Sequence, residues 1–235
     1  MNKKEKQELY LKLNHFLKSF YEQNGFKYII SPFSYEKNGA FVFWGAAADY
    51  VETSQFQPWF RIENNEINKI FKTVFPNRIA YHTSSRTQNT IEFAHEFGIQ
   101  DFDNRPYNHC MYGVCTYFYD IGLNTDLEPI IKDHIEFMEK VTFPYFDKLS
   151  TVKGISDYFN DRLLKLSDKE LKNTGVMRSF QKEEILSSII ASYLEKEERL
   201  NKVIETYKKL YSISEFYLND INLLDNWIKD QNATT

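Results

Sequence analysis

The chain has 235 residues, of which 42% are hydrophobic and 26% are charged, and its formal net charge is −4. This balance is typical of a globular protein and excludes disordered and collagen-like chains. A membrane-spanning protein is not expected either, because charges interrupt every apolar run well before the roughly 18 residues that a span needs. No cluster of Lys and Arg suited to neutralising phosphates stands out, so nucleic acid is not an expected partner.

The two cysteines, Cys110 and Cys115, lie in a segment that is patterned as one β-strand. Odd spacing along one strand would direct them to opposite faces, so no mutual disulfide is expected. The basic start of the chain also lacks the apolar core of a secretory signal. Together these features predict a protein of the reducing cytoplasm.

The first elements of the chain are predicted from periodicity and turn residues. Apolar residues at helical spacing over 9–20 predict an amphipathic helix that stops at Asn24-Gly25. Lys37-Asn38-Gly39 predicts a tight hairpin turn, because Asn and Gly tolerate positive φ. A short helix over 66–75 is predicted to end at Pro76.

The strands are predicted from runs rich in aromatic and β-branched residues. Pro58 indicates an edge strand or a bulge, because proline cannot donate to a ladder. The last strand carries few charges, which favours a central place in the sheet. The predicted strands cover residues 26–35, 40–44, 56–62, 90–97 and 110–119.

The rest of the chain is patterned as helices. Asp126 is the predicted N-cap of a helix over 127–141, and Pro144 is predicted to end it. Residues 231–235 are expected to fray at the end of the chain. Further helices are predicted over 152–164, 185–194 and 200–211, and from Ser212 to about residues 227–228.

This order of elements predicts an α+β fold, because strands and helices are segregated and do not alternate as βαβ units. It comprises an N-terminal helix, an antiparallel sheet of about five strands and a C-terminal block of about five helices. Asn173-Thr174-Gly175 interrupts the helices. We therefore expect an α+β domain over 1–172 and a helical segment over 173–235 that packs on it as one unit.

Known cofactor and metal motifs do not occur in the sequence. P-loop, dinucleotide-binding, zinc-protease and nucleophile-elbow patterns are all missing, and no cofactor is predicted. His109, Cys110 and Cys115 are metal-ligand types, but their spacing matches no common zinc site, so no metal is predicted. His95 and His134 lie on apolar faces of a predicted strand and helix, and core positions are expected for both.

One polar segment, over 81–88, combines the residue types of a catalytic or anion-binding site. It contains His82, Ser85 and Arg86, and Glu92 follows a few residues later. A hydroxyl beside His and Arg would supply a nucleophile, a base and an anion-binding group. A polar surface loop has the same composition. These four residues define the alternative of a hydrolase or transferase that acts on a small anionic substrate.

Two other segments carry residue types that are common at protein interfaces. The loop over 101–107 combines carboxylates, an Arg and aromatic rings, which suit either a binding surface or local turn chemistry. An aromatic-and-Arg patch is expected on the sheet if one face is uncovered, although Trp is more often in a core. The predicted partner-binding residues are Trp59, Arg61, Asp101, Asp103, Arg105 and Tyr107.

The helical segment over 127–164 resembles a pattern in small bacterial α+β proteins that are grouped as domains of unknown function. Its recurring part here is Phe143-Pro144-Tyr145-Phe146-Asp147-Lys148-Leu149-Ser150-Thr151, and Asn24-Gly25-Phe26 with the aromatic hairpin is also similar to that group. Several of those proteins are thought to be cytoplasmic immunity proteins, which bind a toxin and block it. The resemblance therefore implies a toxin as partner, and it transfers no functional residue.

The leading hypothesis is a non-enzymatic cytoplasmic protein-binding protein, and the resemblance implies an immunity protein. An aromatic patch with acidic rim groups would cover the active site of a basic toxin. The 20 Phe and 16 Tyr residues agree with this, although A/T-rich codons explain them equally simply. Besides the enzyme, a homo-oligomeric scaffold whose C-terminal stripes pack against a second chain is an alternative. No oligomeric state follows from the sequence.

Overall fold

The computed structural model describes residues 2–29, 34–49, 53–78, 84–87, 108–111, 114–117, 119–172 and 182–233. The chain divides into two compact units. The first comprises Met1–Ile62 and Ser85–Asp147, and the second comprises Glu63–Ser84 and Lys148–Thr235. The predicted division into an α+β domain over 1–172 and a helical segment over 173–235 that packs on it as one unit stays a prediction.

The first unit begins with helix α1, Lys3–Gln23, which has a cap at each end. Asn2 Oδ1 accepts hydrogen bonds from the amides of Lys4 and Glu5, both at 3.0 Å. The Glu5 carboxylate accepts in return from the Asn2 amide at 2.7 Å, which completes a capping box. The helix ends at Asn24, and Gly25 follows with φ of +80°, which confirms the predicted stop.

Among the described residues, the main sheet comprises six strands: β1 Lys27–Tyr28, β2 Ser34–Lys37, β3 Ala40–Asp49, β4 Thr53–Ile62, β5 Ser84–Thr87 and β8 Tyr119–Gly122. They lie in the order β1-β2-β3-β4-β5, and β8 also pairs with β4. Two further strands, β6 Asn108–Met111 and β7 Val114–Tyr117, form a separate antiparallel pair. With the helices that follow, the mixed α+β class is confirmed.

The turn between β2 and β3 confirms the predicted hairpin. Lys37 pairs with Ala40, which leaves Asn38 and Gly39 as a two-residue turn. Both turn residues have positive φ, 51° and 80°, as an Asn-Gly turn that matches the strand twist requires. The Gly39 amide also donates a hydrogen bond to Glu36 Oε1 at 3.0 Å.

Two strand predictions are wrong. Residues 26–35 do not form one strand, because β1 and β2 fold back on each other with Tyr28 opposite Tyr35. The run 110–119 is likewise a hairpin followed by β8, and Cys110 lies opposite Cys115 in its register. The argument from one strand against a mutual disulfide therefore does not apply. The predicted strand over 90–97, with His95, lies outside the described residues.

Pro58 lies in β4, an interior strand, so it does not mark an edge of the sheet. The register shift in the β3–β4 pair falls between Ala46 and Ala48 of β3. On its other side, β4 pairs with β8 only from Thr53 to Phe56, two residues before Pro58. The missing N–H of proline therefore does not interrupt that pairing.

A helical segment from Glu128 to Lys148 follows β8. It comprises α3 (Glu128–Phe137), a π-helical turn (Met138–Thr142) and α4 (Phe143–Lys148). The prediction that Pro144 ends the helix is wrong, because the wider π-helical turn precedes the proline and the chain continues as a helix. The prediction of Asp126 as the N-cap is wrong, because Leu127 is the N-cap residue. Asp126 lies one residue earlier, and its Oδ1 accepts from the Glu128 amide at 3.1 Å.

The core of the first unit is an aromatic cluster between its helices and the inner face of the sheet. Tyr21 of α1 stacks on Tyr35 of β2 with ring centres 4.2 Å apart. Phe60 of β4 makes edge contacts with Tyr145 and Phe146 of α4, at 6.1 and 6.2 Å between ring centres. These contacts place α1 and α4 on the same side of the sheet.

The second unit is helical in its described part and is arranged around one buried helix. Its described elements are α2 Asn65–Val74, α5 Val152–Leu164, a 3₁₀ turn Glu170–Lys172, α6 Lys182–Leu194, α7 Leu200–Leu210 and α8 Glu215–Ala233. The central helix is α6, which α2, α5, α7 and α8 contact. As expected for a helix packed on several sides, its apolar residues over 185–191 are buried, namely Ile185, Leu186, Ile189, Ile190 and Ala191.

Helix α8 is longer than the sequence predicts. It continues to Ala233, so an end near 227–228 and fraying from 231 are both wrong for the described residues. Two features of its last turns account for the extension. Ile228 is buried, and Lys229 donates to Asp225 Oδ2 at 2.8 Å, an i,i+4 ion pair.

Candidate functional site

The side chains over 41–43 of β3 and 59–62 of β4 alternate between a buried inner face and a partly exposed outer face. Val42, Phe60 and Ile62 are buried on the inner face. The alternate positions point away from that core, and their side chains are all partly exposed. We call these four residues the aromatic face: Phe41, Phe43, Trp59 and Arg61.

The strand register pairs the four side chains of the aromatic face. Phe43 lies opposite Trp59, and the two rings stack with centres 6.1 Å apart and planes inclined by 17°. Phe41 lies opposite Arg61, whose guanidinium carbon is 4.5 Å from the ring centre, a cation–π distance. Each residue is therefore supported by a cross-strand neighbour, which limits the rotamer entropy lost when a partner binds.

The two outer strands extend the aromatic face with polar residues. The register places Glu36 of β2 opposite Phe41, and Lys27 of β1 opposite Glu36. Ser34 lies opposite Phe43 in the same way. The surface thus has an aromatic centre and a polar margin, which is the usual composition of a protein interface. Its side chains offer apolar area and ring stacking, which suit binding.

Two of the six predicted partner-binding residues, Trp59 and Arg61, belong to the aromatic face. Asp101, Asp103, Arg105 and Tyr107 lie outside the described residues, so their role stays a prediction. Phe41 and Phe43 were missed, although strand alternation after the Asn38-Gly39 turn is a signal that places both on one face.

Two of the four residues of the alternative catalytic site belong to the described chain. His82 and Glu92 lie outside it. Ser85 and Arg86 belong to β5, of which the backbone is described. A pocket formed by these four residues stays a prediction.

His134 occupies the core position that the sequence predicts. It is fully buried, and its Nε2 lies 2.7 Å from the hydroxyl oxygen of Tyr21, with which it shares a hydrogen bond. Burial lowers the pKa of His134 from 6.5 to about 3, so the imidazole is neutral at pH 7. Its place inside the unit makes it a structural residue.

A buried polar network in the second unit is a further cluster of titratable groups. Asn160 Nδ2 donates to Ser156 Oγ at 3.0 Å and to Ser192 Oγ at 2.9 Å. Both hydroxyls donate to Glu197 Oε2, at 2.8 and 2.7 Å. Burial alone would raise the pKa of Glu197, but hydrogen bonds from Arg199, Ser192 and Ser156 hold it below its usual value. Because these groups are committed to one another, the network joins helices and does not form an open site.

In the described part of the chain, no group of three or more His, Cys, Asp or Glu side chains is placed to hold a metal ion. No described helix combines the length and the apolar character that crossing a bilayer requires. The expectation of no metal and no cofactor stays a prediction.

No protein-family model matches the chain, and the curated proteins and solved structures contain no significant match. The fold is that of an α+β protein with a sheet covered by helices on its inner side. The aromatic face on the other side is the candidate site that we take forward.

Proposed function

We propose that this chain is a cytoplasmic protein-binding protein that contacts its partner through the aromatic face. The observation that carries the proposal is the pairing of Trp59 on Phe43 and of Arg61 on Phe41 on the half-exposed side of the sheet. Trp and Arg are among the residue types that contribute most to binding energy at interfaces. Since the side chains are already stacked, they would lose little conformational entropy when a partner binds.

A toxin is the partner that we propose to test first. The resemblance to bacterial α+β proteins suggests this class, and an immunity protein would act by covering the active site of the toxin. The charge of the first unit supports a basic partner: it holds 12 Lys and Arg against 17 Asp and Glu, a net charge of −5. Such a field attracts a cationic protein and speeds the encounter.

The test is a quantitative affinity purification from the native host with three baits: the wild-type chain, Trp59→Ala and Trp227→Ala. We expect one stoichiometric protein to bind the wild type and to bind Trp59→Ala at least about 30-fold more weakly, the effect of losing a hot-spot side chain. Titration of the purified partner by calorimetry gives the affinities.

Trp227→Ala is the matched control, because Trp227 is also half-buried and packs edge-on against Tyr193, with ring centres 5.6 Å apart. It should bind the partner as the wild type does. Equal binding of Trp59→Ala and the wild type would contradict the proposal, provided that both unfold at the same temperature. A partner that binds every variant equally would likewise show that the aromatic face is not the surface that it contacts.

The hydrolase or transferase and the homo-oligomeric scaffold stay alternatives from the sequence. No observation on the described residues favours either of them. The same purified chain tests both, since light scattering reports its oligomeric state and thermal shift with small anions reports a substrate pocket.

A further inference from the structure

A groove lies on the helical side of the first unit, between α1 and α3. It encloses about 630 Å³, and its apolar lining comprises Phe16, Leu127, Ile131 and Ile135. Phe16 forms the α1 wall and is 51% exposed, although neighbouring apolar residues of α1 are buried. An exposed aromatic ring in an apolar groove of this size marks a place where another surface can be buried.

Three apolar lining residues form a row along the groove, which we call the row on α3. Leu127, the N-cap of α3, is followed at intervals of four residues by Ile131 and Ile135, and the row is about 12 Å long at the usual helical rise. Such an i,i+4 row interdigitates with a similar row on a second helix. Its length matches about two turns of an added helix, so the shape of the groove suits an amphipathic helix.

The charged residues at one end of the groove indicate the charge of the segment that would bind there. Asp126 and Glu128 are both exposed there, and neither has an ion pair within the described chain. Lys12, one turn before Phe16 on α1, is already engaged, since its Nζ lies 3.5 Å from the Leu123 carbonyl oxygen and 3.7 Å from Glu8 Oε1. Lys132 is the basic group among the lining residues. With the net charge of −5 on this unit, the groove favours a basic segment.

We propose that the groove between α1 and α3 binds an amphipathic, basic helix of a partner protein. The apolar residues of that helix lie against Phe16 and the row on α3, and a Lys or Arg side chain meets Asp126 and Glu128. This surface is independent of the proposed function. Because α1 packs on the inner side of the sheet through Tyr21 and Tyr35, the groove and the aromatic face belong to opposite sides of the unit.

The probe is a pair of synthetic amphipathic helices with leucine at every third or fourth position, one flanked by lysines and one flanked by glutamates. Fluorescence anisotropy measures their binding to the full chain. We expect the lysine peptide to bind about tenfold more tightly than the glutamate peptide at low salt. The difference should shrink as salt is added, because the carboxylates of the groove are exposed.

Three variants assign the binding to the groove. Phe16→Ala should weaken the lysine peptide about tenfold, and the double variant Asp126→Asn, Glu128→Gln should abolish the preference for lysine over glutamate. Asp126→Asn keeps a side-chain oxygen that can accept from the Glu128 amide, so this hydrogen bond is retained. Leu11→Ala is the control: Leu11 is a 60% exposed apolar residue of α1 outside the groove lining, and its loss should change nothing.

Equal affinity for the two peptides, or binding unchanged by Phe16→Ala, would overturn the proposal. So would binding of dodecylammonium with no binding of either peptide, which would assign the groove to a small cationic amphiphile. Trp59→Ala should leave peptide binding unchanged. The groove and the aromatic face can therefore fail separately.

Discussion

His134 is a residue whose proton chemistry is set by burial. It is fully enclosed in the first unit, and the Tyr21 hydroxyl is its hydrogen-bond partner at 2.7 Å. Burial disfavours the charged imidazolium and lowers its pKa from 6.5 to about 3. Between these two values the unfolded chain binds a proton at His134 and the folded chain does not. Acid therefore favours the unfolded state through this residue.

We expect the contribution of His134 to the free energy of unfolding to be complete above about pH 6.5 and to be lost as the pH falls toward 3. The loss approaches about 1.4 kcal/mol per pH unit within this range. Urea unfolding of the wild type and of His134→Gln at pH 7, 5.5 and 4.5 measures it. The variant should be less stable at pH 7 and should lose less stability on acidification. Parallel pH profiles would contradict the assignment.

Gly154 is a residue whose missing side chain permits a close approach of backbone. A Cβ atom built there would overlap the carbonyl oxygen of Lys148 and would lie 3.1 Å from Thr151 Oγ1. Thr151 is the N-cap of α5, and its hydroxyl accepts from the Gly154 amide at 3.0 Å. The glycine thus lets the Lys148 carbonyl lie close to the first turn of α5.

Gly154→Ala should lower the free energy of unfolding by about 1–3 kcal/mol, because the new methyl group forces the backbone apart. The sign is informative, since alanine elsewhere inside a helix is about 1 kcal/mol better than glycine. Lys153→Ala, at an exposed neighbour that pairs only with Asp157 on its own helix, should change stability by less than about 0.5 kcal/mol. Chemical denaturation compares the two. A stabilised Gly154→Ala protein would show that the contact is absent.

At the scale of elements, the polar network connects two helices of the second unit with the loop that follows them. Ser156 and Asn160 come from α5, Ser192 from α6, and Glu197 from the loop before α7. Arg199 donates to Glu197 at 2.9 Å on the outer side. The carboxylate of Glu197 is largely buried and needs all these donors, so losing one leaves the others with poorer partners.

We expect Ser192→Ala to destabilise the protein by about 1–3 kcal/mol, because Glu197 loses a buried donor and Asn160 loses an acceptor. Ser156→Ala should act similarly, and the double variant should cost less than the two single changes together. Ser187→Ala, a buried serine of the same helix outside the network, is the control and should cost less than Ser192→Ala. A double-mutant cycle from urea unfolding gives the coupling. Strict additivity would contradict a shared network.

At the scale of the whole molecule, the sequence predicted local elements better than their partners. Asn38-Gly39 marks its turn through residues that tolerate positive φ, so the hairpin could be located from four positions. The place of β4 inside the sheet depends on pairing with strands far along the chain, and Pro58 argued for the wrong position. The prediction that Pro144 ends a helix was wrong for a related reason. The π-helical turn before it depends on tertiary packing, and local residue propensities do not predict such a turn.

The same limit applies to the candidate site. Trp59 and Arg61 were predicted from residue type, which is a local property. Their stacking on Phe43 and Phe41 depends on the β3–β4 register, which a single sequence does not contain. The groove was missed because its two walls, Phe16 and the row on α3, are more than one hundred positions apart in the chain.

The proposed function requires that a bound partner cover the aromatic face. Hydroxyl-radical footprinting of the chain, free and with its purified partner, measures the solvent exposure of that face through the oxidation of its side chains. We expect Trp59 and Phe43 to react with radicals in the free protein and to become protected in the complex, while Trp227 reacts equally in both. Unchanged oxidation of Trp59 in a saturated complex would contradict the claim.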